Sequence, residues 1–136
     1  MDISFETHMK VAFHDLDPLQ MVWHGNYLKF FDITRFGLFA ACGIDLYKYL
    51  VEKQMSFPVT RTSLKYISPL RGFDEFICRA TVTEAYHKIV MAFEIRKTDS
   101  GILCVSGDSE QLAVSYPGME MEFLIPEDIR QALQWV

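Results

Sequence analysis

The stretch Asn26-Tyr27-Leu28-Lys29-Phe30-Phe31-Asp32-Ile33-Thr34-Arg35-Phe36-Gly37-Leu38-Phe39-Ala40-Ala41-Cys42 decides how the rest of the chain must fold. Tyr27, Phe30, Phe31, Thr34, Leu38 and Ala41 recur at helical spacing, and Asn26 is the predicted N-cap. Lys29, Asp32 and Arg35 form a polar arc, but only over the first half. From Phe36 to Cys42 the sequence is apolar on every side, and a helix apolar all round has to be buried all round. Gly43 is placed to end it.

The segments that could bury such a helix lie on both sides of it. Upstream, His8–His14 alternates as a strand, with Met9, Val11 and Phe13 facing one way, and Asp15-Leu16-Asp17-Pro18 stops it. Downstream, Asp45–Gln54 reads as a short helix with Leu46, Tyr49 and Leu50 on one face. Strands follow. Phe57–Ile67 leads into the turn Ser68–Gly72, and Glu75–Ala85 sets Phe76, Cys78, Ala80 and Val82 against Ile77, Arg79, Thr81 and Thr83. Lys88–Thr98 alternates Ile89, Met91, Phe93 and Ile95 with polar neighbours, and Asp99-Ser100-Gly101 is a hairpin turn. Ile102–Tyr116 is a strand long enough to need a bend or bulge near Gly107, and Pro126–Gln134 is a closing helix. The order predicts an α+β fold, an antiparallel sheet curled around a long central helix. Such a sheet leaves an edge open to a second copy.

Composition agrees with one domain over residues 1–136. Half of the residues are apolar, 14% are aromatic and 23% are charged, which excludes a disordered chain. The longest uncharged stretch, Pro18–Leu28, is far short of the roughly 20 residues a membrane-spanning helix needs. Thirteen Lys and Arg against 18 Asp and Glu give a net charge of −5, which argues against nucleic acid as a partner. Cys42, Cys78 and Cys104 form no CxxC pair and sit in apolar segments, as reduced core thiols do. The start Met1–Glu6 has no signal-peptide pattern, so a cytoplasmic location is expected.

Common nucleotide, serine-hydrolase and zinc-protease motifs are absent. The chemistry concentrates in His14–Tyr27, which holds two carboxylates, two histidines and a glycine and runs straight into the apolar helix. A carboxylate beside a helix N-terminus suits acyl transfer. The free N–H groups stabilise a developing oxyanion, and the carboxylate supplies a nucleophile or a general base. Gly25, with no Cβ, lets a ligand approach the backbone. Plainer readings stand beside this one: Asp17 as an Asx-turn residue before proline, and His24 as a helix-start residue. A metal held by His14, Asp15, Asp17 and His24 is a further arrangement the spacing allows.

The pattern Asp15-Leu16-Asp17-Pro18, then Val22-Trp23-His24-Gly25-Asn26-Tyr27-Leu28, then Phe30-Phe31 and Arg35 resembles the signature of the 4-hydroxybenzoyl-CoA thioesterase family. This family of hot-dog-fold enzymes includes the Tol-Pal-associated acyl-CoA thioesterases. Tyr66–Asp74 resembles its strand-to-turn segment, and the order of elements agrees over essentially the whole chain. The resemblance implies hydrolysis of an acyl-CoA or acyl-carrier-protein thioester. Asp17 and His24 are then the candidate catalytic residues, Gly25 and Asn26 the oxyanion site at the helix N-terminus, and Tyr27 and Lys88 the substrate contacts. It implies no metal and no other cofactor, and an active site shared between protomers of a homodimer or homotetramer. Two positions depart from the pattern. Gln20 stands where the family usually has glycine, which puts the loop conformation and pocket wall in question. Lys88 stands where many relatives have serine or threonine, and reads either as a phosphate or acyl contact or as a solvated strand end. Two other functions compete: a hot-dog enoyl-thioester hydratase, whose Asp-x-Asn-Pro-x-His motif is missing here, and a non-catalytic module binding an acyl or aromatic ligand.

Overall fold

A computed structural model of the chain describes residues 3–134. The long helix α1 spans Asn26–Ala41, and a second helix, α2, spans Leu46–Lys53. Five strands form one antiparallel sheet: β1 (Ser4–Lys10), β3 (Val59–Tyr66), β4 (Glu75–Ala85), β5 (Ile89–Lys97) and β6 (Leu103–Gln111), in the order β1-β4-β5-β6-β3. A separate pair joins β2 (Met55–Ser56) to β7 (Val114–Ser115), and α3 (Glu127–Ala132) lies near the C-terminus.

The core lies between α1 and one face of the sheet. Phe76, Cys78, Ala80 and Val82 of β4 and Ile89, Met91, Phe93 and Ile95 of β5 are buried, as their alternation predicts. A register shift between Val82 and Glu84 then turns Ala85 inward as well. On α1, Tyr27, Phe30, Phe31, Thr34 and Leu38 are buried with Phe39. Phe31 stacks flat on Phe93 with ring centroids 4.3 Å apart, and Phe30 meets Phe76 at 4.8 Å. The three cysteines are free thiols, and burial pushes Cys78 up to about 11, which suits a core role.

Five expectations need correction. The first strand is Ser4–Lys10 rather than His8–His14, because the Asp15 carboxylate accepts the Ala12 N–H at 3.0 Å and curls Phe13–Asp15 into a 3-10 turn. Phe13 consequently points into solvent. The N-cap of α1 is Gly25, and Asn26 is the first helical residue. The second half of α1 is not buried all round. Phe36 is 56% exposed, and Ala40 and Ala41 are exposed, because a single sheet covers only one side of the helix. Arg35 is the reverse case. It belongs to no solvated arc but is buried, bonding Ser109 Oγ at 2.8 Å, pairing with Asp32 and lying over the Phe93 ring. Lastly, the long C-terminal strand does carry a bulge, at Cys104 opposite Ile95 and Arg96, but it also breaks at Leu112–Ala113 and passes to the β2–β7 pair, and Gly107 itself keeps its register with Leu64 and Phe93. Gly107 instead permits a close crossing: a Cβ there would lie 2.3 Å from the Ser63 carbonyl oxygen and 3.2 Å from the Phe31 ring.

Candidate active site

The loop from β1 to α1 is built around Asp15. Its carboxylate is buried and accepts the Ala12 N–H and the Lys29 ammonium, the latter at 2.6 Å. Burial alone pushes this carboxyl up. The bonds from Lys29 and Ala12, with the charges of Lys29 and His14, outweigh that and hold it below the ordinary carboxylate value. The Asp15 carbonyl meanwhile accepts both the Trp23 N–H at 3.0 Å and the Asn26 side-chain amide at 2.9 Å. Asn26 thus ties the loop to the helix instead of capping it.

Asp17 opens a tight turn. The Gln20 N–H donates to its carbonyl and its own N–H donates to Met21, both at 2.9 Å, while Leu16 bridges Val22. Pro18 suits the second position of such a turn, and Gln20 closes it with φ +65, the left-handed region usually given to glycine. The glycine-like conformation therefore survives the glutamine. Asp17 Oδ1 accepts the Leu19 N–H at 2.8 Å, so the Asx-turn reading holds. That bond engages one oxygen only, and nothing among the described residues donates to Oδ2.

Across the turn lies the start of α1. Trp23 folds its indole over Gly25, where a Cβ would sit 2.3 Å from the ring. A side chain at this position would have to push the half-exposed indole aside, so the room left by the missing Cβ is taken by Trp23. The N–H groups of His24 and Gly25 donate to no acceptor among the described residues, and no side chain caps the helix. Met21, His24, Tyr27, Tyr66, Ile67 and Pro69 line an adjoining cleft of about 330 Å³. Tyr27 is buried, and its hydroxyl accepts the Leu70 N–H at 3.3 Å, leaving its own proton to donate. Burial raises the Tyr27 pKa against the Leu70 bond, and the nearby Asp17 charge adds to that rise, so the phenol stays neutral.

Asp17, His24, Gly25, Asn26 and Tyr27 thus belong to one turn and one helix end, but Asn26 is no oxyanion donor, because its N–H is taken by the Trp23 carbonyl at 2.9 Å and its side-chain amide by the Asp15 carbonyl. Lys88 is elsewhere. It precedes β5, pairs with Glu110 at 2.9 Å, and lies at the opposite end of β6 from Val105, the partner of Tyr66. Five residues of strand, roughly 17 Å, separate those ends. His14, Asp15, Asp17 and His24 do not gather as metal ligands: no such cluster occurs among the described residues. Two contacts escape a reading of the sequence. The pattern includes Arg35 and Tyr66, but that Arg35 is buried against Ser109, and that Tyr66 touches His24, 42 residues before it, comes only from the fold.

The sequence matches the profile of the thioesterase superfamily over residues 19–104, well over half of the chain. The chain belongs to the thioesterase superfamily. Thioester hydrolysis is accordingly its class of reaction, and the curled sheet around α1 is the superfamily's hot-dog fold. Sequence comparison with curated proteins finds no match. Among solved structures, the fold is similar to that of a 1,4-dihydroxy-2-naphthoyl-CoA thioesterase from Synechocystis, with TM-score 0.88, 16% identity, and coverage of 96% of this chain and 95% of that one. It is also similar to a 4-hydroxybenzoyl-CoA thioesterase from Pseudomonas sp. strain CBS-3, with TM-score 0.84, 19% identity, and coverage of 95% and 98%. A third similar structure is an Asp-to-Asn mutant of a 4-hydroxybenzoyl-CoA thioesterase complexed with 4-hydroxybenzoyl-CoA, with TM-score 0.87, 18% identity, and coverage of 96% and 99%. No helix among the described residues of this thioesterase is long and apolar enough to cross a membrane.

Proposed function

We propose that the protein hydrolyses an acyl-CoA thioester, with Asp17 as the catalytic carboxylate. The observation that carries this reading is the free Oδ2 of a half-buried aspartate on a tight turn that is bonded to Met21 of the apolar cleft and near enough to Tyr27 for its charge to act there, together with the unpaired N–H groups of His24 and Gly25 at the helix start. The carboxylate either adds to the thioester carbonyl carbon or takes a proton from the water that does. In both routes the His24 and Gly25 N–H groups stabilise the charge that builds on the carbonyl oxygen. The carbon–sulfur bond then breaks, and the coenzyme A thiolate leaves and takes up a proton. In the general-base route the acyl group departs at once as a carboxylate; in the nucleophilic route it stays on Asp17 as a mixed anhydride until water adds to it, which frees the acyl carboxylate and restores Asp17. A thiolate leaves readily, so one carboxylate and an oxyanion site suffice. That a structural relative holds 4-hydroxybenzoyl-CoA as an Asp-to-Asn mutant is in keeping with such a role.

The cleft supports an apolar acyl group, and its Tyr27, Tyr66 and His24 walls suit a flat aromatic one. A homodimer is part of this reading. β3 is an open edge, exposed along nearly its whole length, and Leu28 and Phe36 lie uncovered on α1. Antiparallel pairing of two β3 edges sets the Tyr66 end of one protomer against the Val59 end of the other. That carries the partner subunit's Lys88 toward the cleft, where it can meet a coenzyme A phosphate.

A hydrolysis screen over acyl-CoA chain lengths and aromatic acyl-CoAs tests the proposal, with wild type and Asp17→Ala side by side. Thiol release from at least one substrate is expected, and Asp17→Ala should lose it by a factor of about 10² or more. Stabilisation by acyl-CoA without turnover across the whole panel favours the binding module instead, and hydration of crotonyl-CoA favours the hydratase.

A further inference from the structure

The Tyr66 hydroxyl donates to the main-chain carbonyl of His24 at 3.2 Å. That carbonyl and the Gly25 N–H belong to one peptide unit. A peptide is planar and trans, so whatever fixes the carbonyl also fixes the direction of the N–H on the other side. The Asn26 N–H, donating to the Trp23 carbonyl at 2.9 Å, closes a turn around this unit, but among the described residues only Tyr66 bonds to the unit itself. Gly25 has no side chain, no residue caps the helix there, and the Gly25 N–H has no protein acceptor among the described residues. The Tyr66 ring is itself held, tilted against Tyr27 at 5.6 Å and edge-on to His24 at 6.3 Å. Tyr66 stands at the end of β3, so a strand of the sheet sets the geometry of the helix start. A hydrogen bond to the carbonyl also polarises the peptide and makes its N–H a stronger donor.

We infer that Tyr66 is a positioning residue: its hydroxyl clamps the His24–Gly25 peptide and readies the Gly25 N–H to receive the thioester oxyanion. This rests on the oxyanion role proposed for Gly25 and goes beyond it by naming what holds the donor in place.

Tyr66→Phe removes one oxygen from a half-exposed ring and leaves the ring contacts, so the variant keeps its fold. In ¹⁵N-labelled protein the Gly25 amide proton should move upfield, with the melting temperature unchanged. In thioester hydrolysis kcat should fall about three- to tenfold at constant KM, less than the 10²–10³ lost with an oxyanion donor itself. A Gly25 amide that does not move overturns the inference, whatever the activity. So does a wild-type kcat in the variant. If the wild-type protein cleaves no acyl-CoA, the functional reading falls separately, and the amide shift alone decides whether Tyr66 holds the peptide.

Discussion

Protonating Asp15 removes the acceptor toward which both Lys29 and the Ala12 amide point. Its pKa is held below the ordinary 3.8, so its contribution to stability is present above that value and is lost as pH falls through the lower folded one. Asp15→Asn should therefore cost about 1–2 kcal/mol at neutral pH, the half-exposed Lys29 limiting the figure. The gap to wild type should close in acid below about pH 4, which denaturant melts across pH will check. Gln20 tests the turn. A residue at φ +65 carries the strain of a left-handed backbone, so Gln20→Gly should raise stability by up to about 1 kcal/mol, partly offset by the freer unfolded chain. The sequence revealed that Asp17 opens a turn and that a helix starts near His24. The family pattern also made Asp15 a structural acid rather than the catalytic one, but not the hub of the loop, because that role comes from its main-chain carbonyl as much as from its side chain.

The elements were legible where periodicity alone decides them. β4 and β5 alternate as read, because one face meets α1 and the other meets solvent. Periodicity misled where a local bond competes with it, as in the Asp15 bond that ends β1 early, or where a distant element supplies the partner, as for Arg35 under Ser109 and Phe93. Gly107 illustrates the same limit. The glycine was visible, but its purpose, room for β3 and Phe31, was not. Gly107→Ala meets a backbone oxygen that cannot swing aside, and should cost about 1–3 kcal/mol in chemical denaturation.

At the scale of the whole molecule, an apolar half of the sequence looked like more core than one chain of 136 residues needs. Part of that excess is exposed: Leu28, Ile33 and Phe36 are uncovered on α1, as are Phe13, Tyr47, Phe73 and Phe123 elsewhere, and the proposed dimer accounts for the α1 residues beside the edge of β3. Sedimentation at micromolar concentration should give a dimer or larger assembly. Leu28→Glu with Phe36→Glu should shift it toward monomer and lower thioester hydrolysis at the same time, since the proposed site needs the partner subunit's Lys88. The central claim, however, concerns one carboxylate with two possible duties, turn former and catalyst, and Asp17→Asn separates them. Asparagine keeps an oxygen for the Leu19 N–H and loses the charge. The decisive measurement is kcat for thioester hydrolysis by Asp17→Asn, taken with its melting temperature. A fall of about 10² or more with an unchanged melting temperature is the expected result; turnover at the wild-type rate would leave Asp17 a turn residue and contradict the account.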